Sequence, residues 1–272
     1  MKILVPIDFT STTENALTYA IGLTKGIDHE ITLFHVTESD KDSAAALSRL
    51  NEMSAKYKSE GATLHTHVIT GNIFDHIGET ASQIEASIII MGTHGIKGVQ
   101  HIVGSKAMRV ITNSKTPYIV VQNKPYRAIK NVLVPIDFSR EVKQMLPFLT
   151  AISGQFHATL HLLKEKSKDE FIQKKIDNNL SYFVSFLSDN KISFKVLEND
   201  FSNNKYKSVV KEANSIDADL IVTTIDPETG LTDYMMGVDE QKIVANESQI
   251  PVLCINIKNF MSKSGNIFEY TF

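Results

Sequence analysis

The sequence predicts an α/β protein made of two tandem copies of one doubly wound domain. The segment KILVPIDFT at residues 2–10 returns as NVLVPIDFS at residues 131–139, so that Asp137 lies 129 positions after Asp8. Each copy is an apolar run that ends at an acidic residue and then a hydroxyl residue, as a buried parallel strand ends before a helix. In both halves apolar runs alternate with helical segments, which indicates right-handed βαβ crossovers and a mostly parallel sheet.

The elements follow one another in the same order in the two halves. In the first half, strands are predicted at 3–7, 30–36, 62–69, 87–91 and 118–122, and helices at 10–25, 42–60, 73–86 and 105–113. In the second half, strands are predicted at 131–136, 158–163, 192–197, 220–224 and 252–255, and helices at 141–152, 168–189, 207–215 and 240–246.

These patterns place a first domain at 1–123, a second domain at 130–257 and a C-terminal tail at 258–272. The linker at 123–130 is so short that the two copies are expected to pack on each other as an intramolecular pseudo-dimer. In the tail, Phe268, Tyr270 and Phe272 alternate, which fits either an added edge strand or a segment docked on a groove.

Composition is that of an ordinary globular protein, with 42% hydrophobic and 22% charged residues. The net charge of −3 argues against nucleic acid as the main partner, because duplex binding normally needs a dense basic surface. The single cysteine, Cys254, permits no intrachain disulfide and is expected as a small core residue in a reducing compartment. The first apolar run is too short for a signal peptide, and no stretch approaches the roughly 18 apolar residues that span a bilayer. A cytoplasmic protein without a membrane partner is therefore expected.

The candidate ligand site lies at the carboxyl ends of the first-half strands. In an open α/β sheet a ligand binds beyond those ends, where the strand order reverses. Asp8 and Thr10 follow the first strand, Val36 ends the second, and the glycine-rich loop MGTHGIKG at 91–98 follows the fourth. Glycines let backbone N–H groups approach an anion, and the helix opened by residues 104–105 favours phosphate at its N-terminus. With Asp8 as an acceptor for a ribose hydroxyl or an exocyclic amine, these parts predict a nucleotide site.

Together these motifs resemble the universal stress protein family in its tandem form. The resemblance rests on VPIDFT at 5–10, MGTHG at 91–95, GS at 104–105 and PYIVV at 117–121, and it covers residues 1–257 as two copies. It implies a five-stranded parallel sheet of order 3-2-1-4-5 in each copy. It also implies ATP as the ligand, with or without Mg²⁺, because many members bind ATP through G-x2-G-x9-G-(S/T), whereas others lack that motif and do not.

By this resemblance the glycines and Ser105 would hold the phosphates, Asp8 would contact the adenosine part, and the Val36 backbone would read the adenine edge. The complete set of residues assigned to the site is Pro6, Asp8, Thr10, Val36, Met91, Gly92, His94, Gly95, Gly104, Ser105 and Lys106. One departure concerns the spacing, since eight residues rather than nine separate Gly95 from Gly104. The deletion is either absorbed in the loop or shifts the second half of the phosphate cradle.

The second copy departs further from the motif and is expected to be degenerate. Its fourth-strand end reads TTIDPETG at 223–230, so that Thr224 and Pro227 replace the first two cradle glycines. The turn before its last helix reads Gly237-Val238, without the hydroxyl. The acidic residues in that loop would repel phosphate, although Asp137 persists.

Each assignment has a structural alternative. Asp8 and the hydroxyl residue after it could simply cap the following helix, and the glycine-rich loop could be only a tight connection. His94 could hold its loop by a backbone hydrogen bond, and Lys106 could be solvated. His65 and His67 share a strand face, but two imidazoles without a third ligand indicate an exposed strand face rather than a metal site.

Three functions remain open from the sequence. The first is a non-catalytic nucleotide-binding protein with a regulatory or stress-response role, which we prefer. The second is a slow ATP hydrolase, for which Asp8 is the one candidate metal carboxylate and for which the chain has no GxxxxGK[ST] motif. The third is an interaction module that binds no nucleotide and uses its domain surfaces or its tail on an unidentified protein partner. The pseudo-dimer could also pair again as a homodimer.

Overall fold

The computed structural model describes residues 1–58, 62–93, 114–198, 205–225 and 238–256. The strands are Lys2–Pro6 (β1), Glu30–Thr37 (β2), Leu64–Thr70 (β3), Ile88–Gly92 (β4), Tyr118–Val121 (β5), Asn131–Ile136 (β6), Thr159–Lys164 (β7), Phe194–Glu198 (β8), Leu220–Ile225 (β9) and Val252–Asn256 (β10). The α-helices are Ser11–Leu23 (α1), Asp40–Lys58 (α2), Ile73–Gln83 (α3), Leu146–Phe156 (α4), Glu170–Asp189 (α5), Lys205–Ser215 (α6) and Val238–Val244 (α7).

The strands form one sheet in the order β3-β2-β1-β4-β5-β10-β9-β6-β7-β8. Within each half the strands are parallel, and their order is the 3-2-1-4-5 implied by the resemblance. The halves meet where β5 and β10 pair antiparallel, with Val120 opposite Val252 and Tyr118 opposite Cys254. The α/β class and the strand order are therefore confirmed, and the antiparallel joint makes the two halves a single ten-stranded sheet.

Helices cover both faces of this sheet, and each face has a core that runs through both halves. On one face, α1 and α2 pack through residues such as Leu17 and Leu50, and α4 and α5 through Leu149 and Phe183. On the other face, side chains of α3, α6 and α7 form the second core, which also includes Cys254. Apolar burial is the main favourable term in folding, so a core continuous across the joint stabilises the two halves together.

Hydrogen bonds fix the linker between the halves. Asn15 Nδ2 in α1 donates to the carbonyl oxygens of Gln122 and Lys124 at 2.6 and 2.9 Å. Gln122 Nε2 in turn donates to the carbonyl of Asn246 in the second half at 3.0 Å, and this bond is buried. Arg127 forms an ion pair with the nearly fully buried side chain of Asp219 at the start of β9. The linker is therefore bound to both halves.

Among the described residues, the helix predicted at 141–152 differs in kind over its first part. The structure has a 3-10 helix at Arg140–Met145, followed by α4 from Leu146. Pro147 lies in the first turn of α4, where its missing N–H costs nothing, whereas inside a longer helix it would remove a hydrogen bond. The helix predicted at 105–113 and the tail at 258–272 lie outside the described residues.

Candidate functional site

The strand order reverses beside β1, because β2 and β3 lie on one side of it and β4 and β5 on the other. Since these strands are parallel, the carboxyl ends of β2, β1 and β4 lie side by side at one edge of the sheet. Pro6, Val36, Met91 and Gly92 are all at or next to these ends. The topology thus brings together the three strand ends that the sequence assigned to the site.

Asp8 directs the turn that follows β1. Its Oδ1 accepts hydrogen bonds from Thr10 N at 2.9 Å, Thr10 Oγ1 at 2.6 Å and Thr13 Oγ1 at 2.8 Å. Phe9, between Asp8 and Thr10, has φ of +64°, a left-handed conformation that residues other than glycine rarely adopt. Thr10 is the N-cap of α1, since its side chain accepts a hydrogen bond from Thr13 N. Thr10 therefore caps α1, which is the structural alternative stated for it above. Asp8 holds the turn through its Oδ1, and the residue is exposed.

A stack of three side chains borders the crevice on the side of α2. The Phe9 ring lies 4.7 Å from the His35 ring, and the Arg49 guanidinium carbon lies 3.8 Å from the Phe9 centroid. His35 Nδ1 is 2.6 Å from the carbonyl oxygen of Ile7, so this nitrogen carries the proton that it donates to that oxygen. The stack packs against Phe9 in the strained turn and places the Arg49 guanidinium over its ring.

The packing of α1 on β4 requires a glycine at position 92, whether or not a ligand binds. A Cβ added at Gly92 would lie 2.6 Å from the carbonyl oxygen of Thr12 and 3.1 Å from the Cα of Thr13. The first turn of α1 therefore packs directly on the end of β4, which joins the Asp8 turn to the fourth strand. In the second half, strand register places Thr224 at the position of Gly92. There a 3-10 helix lies between β6 and α4, where the first half has the first turn of α1.

The hydroxyl of Thr93 is the unexplained polar group of the crevice. Thr93 follows β4 and is buried, and its backbone N–H donates to the carbonyl of Val121 at 2.9 Å. Its Oγ1 is buried and has no hydrogen-bond partner within the part of the chain that the structure describes. Buried hydroxyls are normally paired, so this one calls for a ligand atom or a water. The sequence analysis did not select Thr93 or Thr13, although Thr93 is within the MGTHG motif.

The phosphate half of the predicted site cannot be placed on this structure. His94, Gly95, Gly104, Ser105 and Lys106 lie outside the described residues. The described part of the chain supplies the edge of the crevice formed by the ends of β1, β2 and β4, which the resemblance assigns to adenosine.

The second half has the same turn, with a lysine beside its aspartate. Ser139 N donates to Asp137 Oδ1 at 2.8 Å, as Thr10 N does to Asp8. The ammonium group of Lys205, the first residue of α6, then lies 3.6 Å from Asp137 Oδ2 and 3.8 Å from Glu165 Oε2. Glu165 is 129 positions after Val36, so a carboxylate stands where the adenine-reading backbone was expected in the first half.

Asn179 in α5 completes this arrangement. Its Nδ2 donates to the carbonyl oxygens of Asp137 and Ser139 at 2.9 and 2.8 Å. The side chains of the protein itself thus satisfy the turn in the second half.

The histidine pair on β3 shows no third ligand. His67 stacks on Phe34 with ring centroids 5.8 Å apart, and His65 Nε2 lies 4.0 Å from Glu30 Oε2. Within the ranges that the structure describes, no three His, Cys, Asp or Glu side chains are grouped so that they could hold a metal ion. In the same ranges, no helix is both long and apolar enough to cross a bilayer.

The fold defines a doubly wound α/β protein with a crevice at its strand-order reversal. Residues 1–122 match the model of the universal stress protein family. The resemblance recognised from the motifs is thereby confirmed.

Two curated relatives show the extent of the sequence similarity. A universal stress protein of Methanocaldococcus jannaschii is 28% identical over 141 residues, which cover 44% of this chain and 81% of the relative. Universal stress protein G of Salmonella typhimurium is 26% identical over 77 residues, 28% of this chain and 54% of that protein. The second alignment thus spans about half of that relative.

Solved structures extend the likeness of fold to the whole chain. A universal stress protein from Archaeoglobus fulgidus is 20% identical with a TM-score of 0.75, covering 94% of this chain and 98% of that one. A functionally unknown protein from Pseudomonas aeruginosa is 16% identical with a TM-score of 0.70, covering 96% and 94%. The cytoplasmic domain of a prokaryotic cation chloride cotransporter is 12% identical with a TM-score of 0.56, covering 96% and 98%. At these identities only the fold is shared, and the fold alone does not define function.

Proposed function

We propose that the first half binds an adenine nucleotide, ATP in the first instance, and that the protein acts through binding rather than catalysis. The observation that carries the proposal is the buried, unpartnered Thr93 hydroxyl beside the strand-order reversal. A buried hydroxyl left without a partner costs about 1–3 kcal/mol, and a ligand oxygen or nitrogen would remove that cost.

The other described groups fit the adenosine part of such a ligand. The exposed Asp8 carboxylate is an acceptor suited to ribose hydroxyls, and the end of β2 at Val36 offers backbone groups to a base edge. The phosphates would be held by Gly95, Gly104 and Ser105, as the family resemblance implies. Gly92 would contribute indirectly, because it lets α1 pack on β4.

Nucleotide binding of this kind would be regulatory. A ligand that binds one conformation or assembly state better than another shifts the population toward that state, by an amount set by its concentration relative to Kd. In this proposal the domain at 1–123 carries the site, and the domain at 130–257 is a partner that keeps the scaffold without a nucleotide. We place the protein in the cytoplasm with a role in a stress response.

An interaction module without nucleotide is the second candidate. The second half favours it, since there Lys205 and Asn179 of the protein itself bind the turn that carries Asp137. A hydrolase is less well supported, because Asp8 Oδ1 already accepts three hydrogen bonds that form the turn.

Calorimetric titration of ATP, with and without Mg²⁺, tests the proposal. Thr93→Val removes the hydroxyl at nearly constant volume and should weaken ATP binding about tenfold, the equivalent of about 1.4 kcal/mol. Asp8→Asn should also weaken it. Two second-half changes should leave the affinity unchanged: Asp137→Asn, matched to Asp8→Asn, and Thr224→Val, which removes a threonine hydroxyl near the end of β9.

Absence of heat on titration, together with absence of adenine nucleotide released from the denatured purified protein, would overturn nucleotide binding. Equal losses from the Asp8 and Asp137 changes would overturn its assignment to the first half. Release of phosphate from bound ATP would replace the non-catalytic role with hydrolysis.

A further inference from the structure

The two halves differ in how their first two helices meet on the outer surface. In the first half, Glu14 of α1 accepts hydrogen bonds from Lys56 Nζ at 2.5 Å and Tyr57 Oη at 2.8 Å in α2. The bonds from Lys56 and Tyr57 hold the pKa of Glu14 below its ordinary value. These contacts clasp α1 to α2.

In the second half, the corresponding residues do not form these hydrogen bonds, and a groove lies between the two α-helices. The residues 129 positions after Glu14 and Tyr57 are Lys143 and Phe186, which cannot form the bond. A groove of about 510 Å³ lies between α4 and α5, lined mainly by Leu146, Pro147, Ala151, Tyr182 and Phe186, with Lys143 at its wall. Tyr182 remains 47% exposed, and Lys143 Nζ lies 4.2 Å over its ring. The groove is therefore an open apolar surface next to a cation.

The first half shows how a segment that follows the last strand of a copy can lie on the first helix. After β5 the linker runs along α1, where Asn15 binds the carbonyl oxygens of residues 122 and 124. Tyr126 packs edge-on against Tyr19 with ring centroids 5.2 Å apart. It also covers Gly22 so closely that an added Cβ would be 2.2 Å from its ring.

The second half has residues at the positions that contact the linker in the first half. Strand pairing matches Ile89 with Tyr118 and Ile221 with Val252, so the residue that corresponds to Tyr126 is Phe260. The residue that corresponds to Gly22 is Ala151, and the counterpart of Asn15 is Gln144. The side-chain oxygen of Gln144 is buried and has no hydrogen-bond partner. At the positions where the first half holds its linker, the second half thus has a buried oxygen without a partner among the described residues, in the 3-10 helix, and a small residue in α4.

We propose that the segment at 257–272 of this same chain docks along α4 and into the groove between α4 and α5. Phe260 would take the position at Ala151 that Tyr126 takes at Gly22. The alternating Phe268, Tyr270 and Phe272 would then supply apolar side chains to the groove.

Charge and reach both suit this occupant. Glu269 lies between the tail aromatics and complements Lys143, which has no carboxylate partner among the described residues. The groove lies over β6 and β7, three strands from β10, or about 15 Å at roughly 4.8 Å per strand. The residues from 257 to 268 can span up to about 40 Å, so the tail reaches the groove.

A single-tryptophan reporter tests the proposal, because the chain contains no tryptophan. Tyr182→Trp places the fluorophore in the groove. Its emission should be blue-shifted and protected from acrylamide in the full chain, and should become red-shifted and quenchable when the chain is truncated after Ile257. The same change should follow in the full-length chain carrying Phe268→Ser, Tyr270→Ser and Phe272→Ser. Phe171→Trp, at a 68% exposed position of α5 outside the groove, is the matched control and should not respond.

A disulfide pair provides a second readout in the folded full chain. Cys254 is buried, so an Ala151→Cys, Phe260→Cys double variant adds the two thiols able to react, and it should form an intrachain disulfide. Identical Tyr182→Trp emission in the full and truncated chains would overturn the proposal. So would a blue shift that appears only at high protein concentration, or cross-linking between chains rather than within one, because a second copy would then cover the groove.

Discussion

The ammonium group of Lys205 lies 3.6 Å from Asp137 Oδ2, whereas the hydrogen bonds described for Asp8 Oδ1 come from Thr10 and Thr13. The two aspartates belong to the same repeated VPIDF peptide and form the same turn with the residue two positions on. The groups described at their carboxylates nevertheless differ between the halves. The repeat therefore specifies a scaffold, and the chemistry of each crevice comes from other elements packed around it.

Replacing Lys205 tests this account of the second crevice. Lys205→Met should lower the free energy of unfolding by about 1–2 kcal/mol at neutral pH, because the partly buried carboxylates of Asp137 and Glu165 lose the cation between them. Urea unfolding at neutral pH measures the loss. Lys211→Met, at an exposed position of the same helix, is the control, and equal effects of the two changes would contradict the account.

Gly92 should be intolerant of a side chain even in the absence of nucleotide. Gly92→Ala forces a Cβ to within 2.6 Å of the Thr12 carbonyl oxygen, so the start of α1 must move, at a cost of about 1–3 kcal/mol. Gly78→Ala is the matched control, because nothing lies within 4 Å of its added Cβ and alanine favours the helix by about 0.5–1 kcal/mol. Thermal unfolding of the two variants should shift in opposite directions. A neutral Gly92→Ala would show that the glycine is needed only for ligand.

The sequence predicted the strands well because each is a short apolar run between polar segments, and the repeat supplied the order of elements twice. The helix predicted at 141–152 is confirmed from Leu146 onward, and its first part is a 3-10 helix because Pro147 favours the first turn of an α-helix over its interior. The pairing of β5 with β10 joins strands far apart in the chain and has no local signal. The same holds for Lys205, whose approach to Asp137 depends on how α6 packs on the sheet, and for Thr93, whose unpaired hydroxyl appears only when burial is known.

Replacing Arg127 should weaken the attachment of the linker to the second half. Arg127 donates to Asp217 and pairs with Asp219, whose side chain is 6% exposed and also accepts from the backbone N–H groups of Lys130 and Asn131. Arg127→Gln should destabilise the protein by about 1–3 kcal/mol, because a buried carboxylate loses its cation. It should also speed proteolysis within 123–130.

Asp217→Asn is the control for the linker. The Asp217 side chain is 79% exposed, so its pairing with Arg127 is screened by solvent and its removal should change stability little. If Asp217→Asn and Arg127→Gln were equally destabilising, the exposed pair rather than the buried one would hold the linker.

His161 should make the stability of the protein fall in mild acid. It is a buried residue of β7, with Nε2 3.1 Å from Asn131 Oδ1 and with Nδ1 buried and unpartnered. Burial, and to a smaller extent the charge of Lys195, lowers the pKa of His161 below its ordinary value of 6.5. Protonation in the folded state would place an N–H at Nδ1 without an acceptor.

The direction of the pH effect follows from proton binding. Below about pH 6.5 the unfolded chain binds a proton at His161 that the folded chain does not. The contribution of His161 to the free energy of unfolding is therefore fully present above that pH. Below it, the free energy of unfolding decreases by at most about 1.4 kcal/mol per pH unit. Urea unfolding between pH 7.5 and 5.5 should show this slope. His161→Thr, which installs the residue found at position 32 of the first half, should reduce it. His157→Asn, at an exposed position with φ of +51°, should leave the slope intact, and an unchanged slope in His161→Thr would assign the acid sensitivity to other groups.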